Sequence, residues 1–460
     1  MSSSVSTSLF KSIRRLWKYL IPASYKASSR ATIVKWGLLG LFIRLIFMPF
    51  TMHIDMLDIY VQPHWILNHL HFNPIQPATP NWELMSLSPL LLYLLVPFFG
   101  IAQTLFGSLR YLYDSRHFVP YVAYTPIGTR WENAISIAHD HLGAQFFGVL
   151  FIFKLPLLFA DFMIAFLLLR LIHDESQATL GFKLWMINPV TIYSIFIWGH
   201  TAIIPTLCVV LSLYLAKIKR MLSSFLALGL GTAVEFFPLL FALPHALLVT
   251  KNSPRRTLSI LLLMGLCLVP YAGITLPFIL TGDPSAFATA LGTGSQTYLY
   301  PISFRLQVNP WATNDWIFLY IIVYAFLVLK ASSAPSSEKM WEKMWNLDTM
   351  ILLSFFALSF FHPYYFIWVS PLIILLLARG RSSLKLYATL TIGWFFYTFY
   401  FGRATAMWLF APISQAFFNL PSPYEIIALL YRPLIVLNVV RSIFSAICLW
   451  MVYELLRRKQ

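Results

Sequence analysis

Acidic residues are scarce in this chain. Only 17 Asp and Glu stand against 33 Lys and Arg, and charged residues make up 11% of its 460 positions. Soluble domains carry charge on about a quarter of their residues, so a water-facing globular surface is excluded. Cysteine is scarcer still. Cys208, Cys267 and Cys448 each sit inside an apolar run, which removes a disulfide framework and any cysteine-based metal spacing. There is no Asn-x-Ser/Thr sequon and no internal repeat. The acceptor sites of N-linked glycosylation are therefore absent, as is the repeat signature common among transporters.

What the chain does have is apolar length. Hydrophobic residues reach 59% and the mean hydropathy is +0.72. Apolar stretches of about 15–25 residues recur, long enough to cross a bilayer as helices. Lipid admits only helices or closed barrels, and these runs lack the alternation of barrel strands. The sequence therefore predicts an all-α polytopic membrane protein. Its net charge of +16 lies in short clusters between apolar runs, the positive-inside pattern, and not on one basic face. No nucleic-acid partner follows from it.

Those clusters set an expected topology. Residues 1–31 read as a retained basic cytoplasmic tail, because no signal-peptide h-region precedes the first span. Residues 32–460 read as one transmembrane domain. The first span, 32–50, delivers residues 51–145 to the extracytoplasmic side as a long first loop, and residues 281–315 form a second. Within the first loop, 84–106 is expected to lie in the outer leaflet or to dip into it. Segment 221–250 starts and ends beside basic clusters, so it crosses twice or re-enters, breaking at Glu235-Phe236-Phe237-Pro238. The count comes to about 11–13 passes.

This topology gathers the rare ionisable residues on one side, where they are costly and tend to mark function. Asp55 and Asp58 follow the first span directly. Asp58, Gln62, His64 and Trp65 form D-x-x-x-Q-x-H-W. Further along come Trp82 and Tyr93, Lys154 and Asp161, Asn188-Pro189, Gly199-His200, Glu235, Arg305 and His362-Pro363-Tyr364-Tyr365. Arg44 lies inside the first span and needs an acidic partner there. Asp161, inside another span, suits a structural bond as well as a substrate contact.

In order and spacing these motifs resemble the GT-C superfamily, integral membrane glycosyltransferases that use lipid-phosphate-linked sugars. The resemblance covers about residues 32–375 and is nearest to the dolichyl-phosphate-glucose-dependent glucosyltransferases. The His362-Pro363-Tyr364-Tyr365 string is also similar to mannosyltransferases of GPI assembly. The chain departs from the pattern at Gly199-His200-Thr201-Ala202, where such enzymes carry Gly-Gln-x-Asp. It departs again at Glu235-x-x-Pro238, where they carry Lys-x-x-Pro, and at Leu87-Ser88-Pro89-Leu90, where they carry Tyr-Pro-Pro-Leu.

The resemblance implies a GT-C-like bundle and an inverting hexosyltransferase. A hexose, mannose favoured over glucose, would move from a polyprenyl- or dolichyl-phosphate donor to a glycan or glycolipid acceptor. The membrane is expected to be a prokaryotic cell membrane or that of the endoplasmic reticulum, with the active site extracytoplasmic or lumenal. Asp58 is the expected general base, with Asp55 as its alternative, and proximity of the two is expected to raise one pKa. His362, Arg305 and Lys154 are the expected donor-phosphate ligands. His64, Trp65, Gln62, Glu235, His200 and Tyr364 are expected to contact the sugar or acceptor. No cofactor is expected, and no metal, since D-x-x-D has no second carboxylate cluster beside it. The rival class is a transporter or lipid-linked-sugar flippase, which would gather its polar residues near the midplane.

Overall fold

The computed structural model describes residues 21–22, 24–72, 88–114, 127–281, 305–307, 316–333 and 340–457. The basic tail before residue 21 and Trp82 lie outside the described residues. Nearly everything described is helical. The exception is a two-stranded antiparallel ladder pairing Arg305–Gln307 with Trp316–Phe318.

Four helices among the described residues are long and apolar enough to cross a membrane: Gln145–Leu171, Glu175–Ile197, Arg256–Phe278 and Pro433–Arg457. A fifth candidate is the pair Pro89–Leu105 and Ser108–Asp114, bent by 119°. The expected count of about 11–13 passes is therefore not matched by helices of spanning length. Proline and irregular turns cut the apolar runs into pieces such as Ile203–Lys217, Met221–Val234, Leu239–Val249 and Leu319–Ser333, which are apolar but shorter. The segment expected in the outer leaflet becomes the bent pair, and the break expected at Glu235–Pro238 falls between Met221–Val234 and Leu239–Val249.

Local chemistry sets the helix ends. Asp174 caps the helix Glu175–Met186 by accepting the Gln177 N–H at 2.8 Å, and Ser383 does the same for Leu384–Phe399 through Leu386. Asn188 accepts the Val190 N–H, and Pro189 follows at the first helical position, where a missing N–H costs nothing. Ser422 and Glu425 form a reciprocal capping box around Pro423–Leu430.

Inside the bundle small residues let backbones approach, the packing that lipid-facing helices use in place of a hydrophobic drive. Met221–Val234 runs antiparallel to Ile203–Lys217, since Ser212 bonds Ser224 and Gly231 packs on Pro205 and Cys208. Its other face meets Arg256–Thr281, where any Cβ on Gly229 would run into the Cys267 carbonyl. Gly229→Ala is expected to cost about 1–3 kcal/mol, because rigid backbone and not a side-chain tip must yield. A lowered melting temperature in detergent checks this, and an unchanged one refutes it.

Two ends of the bundle differ in chemistry. At one, Lys217 donates to the carbonyls of Arg170 and Leu171 and sits over Trp341. Arg379 and Arg381 bracket Glu342 there. At the other, the helix Ala27–Phe47 ends beside the carbonyl of Phe196 and the ammonium of Lys154. The Arg44–Asp161 ion pair is buried between these ends, with Nε 2.6 Å from Oδ2. Arg44 also donates to the carbonyls of Gly40 and Met186. Arg44 thus has its acid, and Asp161 is occupied by it instead of facing a substrate.

Candidate active site

The Asp55 turn is anchored before it begins. Thr51 bonds the carbonyls of Phe47 and Phe196. Lys154, fully buried where the helix breaks ahead of Pro156, donates to Thr51 O, to Phe196 O at 2.7 Å and to Thr51 Oγ1 at 3.3 Å. His53 N donates to Trp198 O at 2.7 Å and Met52 N to Leu409 O. The short helix Asp55–Ile59 is launched from this knot.

Asp55 and Asp58 point to different surroundings. Asp55 Oδ2 lies 3.0 Å from His53 Nδ1, with its side chain 22% exposed. The His53 ring stacks on Trp198 and meets Trp131 edge-on, at 4.5 and 4.7 Å between centroids. Asp58 is buried at 5% exposure, and its charge acts on the phenol of Tyr113. Tyr113 in turn donates to Leu57 O at 3.1 Å.

The second wall comes from a distant segment. The helix opened by Pro189 widens into a π turn, Ile192–Ile197, a distortion frequent at functional sites. It ends at Gly199, whose φ of +91 favours glycine and whose Cβ would stand 2.6 Å from Met56 Sδ. That close approach brings His200 toward Asp55. The His200 Nδ1 accepts the Ala202 N–H at 3.1 Å, which leaves Nε2–H as a donor.

The third wall follows the helix Met340–Leu358. His362 precedes the 3-10 turn Pro363–Trp368. This corner is held by Trp394 donating to Pro363 O and Tyr397 to Phe361 O, both at 2.8 Å. Tyr364 is sandwiched between two imidazoles, His200 at 3.7 Å and His362 at 5.5 Å, in nearly parallel stacks. Tyr365 and Trp368 extend the aromatic face, and Trp368 donates to Glu235 Oε2 at 3.1 Å. Glu235 thus joins the rim from the helix break, on the far side of that face from Asp55.

Electrostatics follow from burial and these neighbours. Burial opposes charge on Asp55, but His53, then His200 and His362, outweigh it and hold the carboxyl below its ordinary range. A raised value, expected for one carboxylate if Asp55 and Asp58 share a site, is not found at Asp55, where the histidines outweigh burial. Burial pulls His200 down to about 3 against the attraction of Asp55. His362 is lowered for the same reason, with Asp55 again pulling the other way. At neutral pH the site therefore sets an ionised Asp55 before neutral His200 and His362 imidazoles able to donate hydrogen bonds.

The remaining candidates are placed elsewhere. Lys154 spends its donors on the Thr51–Phe196 knot. Arg305 heads a strand, and its side chain lies outside the described residues. Gln62 is buried, and His64 and Trp65 pack beside His69, away from the Asp55 histidines. Asn188 accepts a bond from Tyr387. Sequence reasoning did not single out His53, Trp198 or Tyr365 as site members. The His-x-Asp spacing at 53–55 was a usable signal for the first; nothing local announced the others.

No protein-family model, no curated protein and no solved structure matches this chain.

Proposed function

We propose that this protein transfers a hexose from a polyprenyl-phosphate donor to a hydroxyl of a glycan or glycolipid, with inversion. The observation that carries the reading is the meeting of Asp55, His53, His200, His362 and Tyr364, from three separate segments, at one end of an apolar bundle. Asp55 is the base in this proposal, because it is the accessible carboxylate of the pair; Asp58 holds the turn from its buried side. Asp55 takes the acceptor proton as the hydroxyl oxygen bonds to the anomeric carbon. The bond from that carbon to the phosphate oxygen breaks, and its electron pair leaves with the polyprenyl phosphate.

Hydrogen-bond donors belong where that leaving charge develops, and the imidazoles of His200 and His362 supply them. A phosphate beside these rings favours their protonated forms, so they tighten on the anion as it forms. Tyr365, half-buried beside Tyr364 and Trp368, offers an aromatic ring for a sugar. Glu235 lies beyond them within reach of further acceptor hydroxyls. The carboxylate and the imidazoles of this site meet at one end of the bundle, and the Arg44 and Asp161 charges between its ends are taken up by each other, which disfavours a transporter.

The test is transfer of radiolabelled hexose from mannosyl- or glucosyl-phosphoryl-polyprenol in proteoliposomes. Activity with either donor supports the proposal; none with any polyprenyl-phosphate sugar overturns it. The pH profile adds a second reading. Asp55 must be ionised to act, and its neighbours lower its pKa, so the acid limb of kcat/KM falls below the ordinary carboxylate range. Replacing His53 by Gln removes a stabilising partner, and the limb moves to higher pH. An unmoved limb rules out His53 as the group that positions and tunes Asp55.

A further inference from the structure

We propose that His64, His69 and Asp114 form a site for one divalent transition-metal ion of the zinc type. The ion clasps the helix Val61–His69 to the far end of the short helix Ser108–Asp114, the second arm of the bent pair that begins with Pro89–Leu105. This inference is independent of the transfer reaction, since its test reads metal and not activity. It also lies apart from the Asp55–Asp58 carboxylates, for which no metal was expected.

The donor atoms converge. His64 Nε2 is 3.0 Å and His69 Nε2 2.9 Å from the same oxygen, Asp114 Oδ1. All three ligand atoms lie within 4.8 Å of one another. Zinc binds imidazole nitrogen and carboxylate oxygen at about 2.0–2.2 Å in tetrahedral geometry, which sets ligand atoms roughly 3.3 Å apart. The ion therefore enters with shifts of a few tenths of an ångström in each nitrogen–oxygen contact. Two imidazoles seeking only hydrogen bonds could divide between the two carboxylate oxygens. Here both face Oδ1, while Arg110 takes Oδ2 at 3.4 Å, which leaves Asp114 to bind through one oxygen.

The surroundings suit a metal centre. His64 is fully buried, its ring set between Tyr113 and Phe99. His69 and Asp114 are 35% and 32% exposed, so an ion has a route in and the fourth position faces water. The outer nitrogen of a metal-bound histidine needs a partner. His64 Nδ1 lies 3.0 Å from the Asn68 amide, which is paired reciprocally with Gln103 at 2.8 and 2.9 Å. Turning both amides over preserves their pair and offers Asn68 Oδ1 to the Nδ1–H, in exchange for the weaker 3.3 Å bond from Asn68 Nδ2 to His64 O. A set of two imidazoles and one carboxylate favours zinc and its neighbours over magnesium or calcium. Tyr113, next to Asp114, donates to Leu57 O, so an ion here also steadies the turn that carries Asp55 and Asp58.

The experiment uses the full chain in nanodiscs, stripped with EDTA, reloaded with zinc chloride and washed. Bound zinc is measured by mass spectrometry, and the cobalt-loaded form by visible absorption. The expected result is stoichiometric zinc, with the intense visible bands of tetrahedral cobalt. His69→Ala and Asp114→Asn should each lose both, and Asn68→Leu, which removes the partner of His64 Nδ1, should weaken binding by about 10–100-fold. His69→Gln, closer in size to histidine, gives a second variant should alanine unfold the helix end, and size-exclusion profiles confirm folding. Stoichiometric zinc retained by folded His69→Gln and Asp114→Asn overturns the site. So does a wild type that holds no more zinc than they do.

Discussion

Asp55→Asn is expected to slow sugar transfer by about 10²–10⁴-fold, the contribution of a positioned general base. Asparagine keeps the shape of the side chain but cannot accept the acceptor's proton. The proposed mechanism assigns donor binding to the imidazoles, so KM for the polyprenyl-phosphate sugar should change little while kcat falls. Single-turnover transfer in proteoliposomes measures the chemical step directly. Asp58→Asn is the informative comparison. Its carboxyl is buried beside Tyr113, so Asp58→Asn should slow the folded protein far less than Asp55→Asn does. If Asp58→Asn abolishes transfer in folded protein and Asp55→Asn does not, the base is Asp58. Full transfer by both variants removes the carboxylate pair from the mechanism.

The second large effect concerns the Arg44–Asp161 pair. Both side chains are fully buried, joined by bonds of 2.6 and 3.3 Å, with Arg44 over the Phe196 ring at 5.2 Å. Replacing Arg44 by Leu strands a buried carboxylate. Replacing Asp161 by Leu strands a guanidinium, less severely because Gly40 O and Met186 O still accept from it. Breaking such a pair costs about 3–5 kcal/mol, whereas replacing both members by apolar residues is often close to neutral. The double variant Arg44→Leu/Asp161→Leu should therefore be more stable than the less stable single variant. Melting in detergent decides it. Strictly additive losses would show that the two charges do not depend on each other.

This pair also shows how far the sequence could be read. An arginine inside an apolar run demands an acid, because the membrane interior offers no water to solvate it. The demand was legible at Arg44, and its satisfaction by Asp161 was not, since 117 positions separate them. Glu235–Pro238 behaved likewise: proline announced a break, and Trp368 as the partner of Glu235 came only from the fold. Lys154 misled for a related reason. A lysine at the edge of an apolar run reads as a boundary cation, yet its ammonium is consumed by the carbonyls of Thr51 and Phe196.

The sequence by itself determined the material: apolar helices, few charges, and rare ionisable residues strung along the chain. Composition and periodicity carry that much because burial of apolar length is a local property of each segment. Only the tertiary structure decided which carboxylate meets the histidines. Asp55 and Asp58 are three residues apart, and a close reading of their motif favours Asp58. Their surroundings differ because His53, the glycine turn at Gly199 and the His362 corner converge on one and Tyr113 on the other. Such convergence depends on how distant helices pack, and no local pattern encodes it.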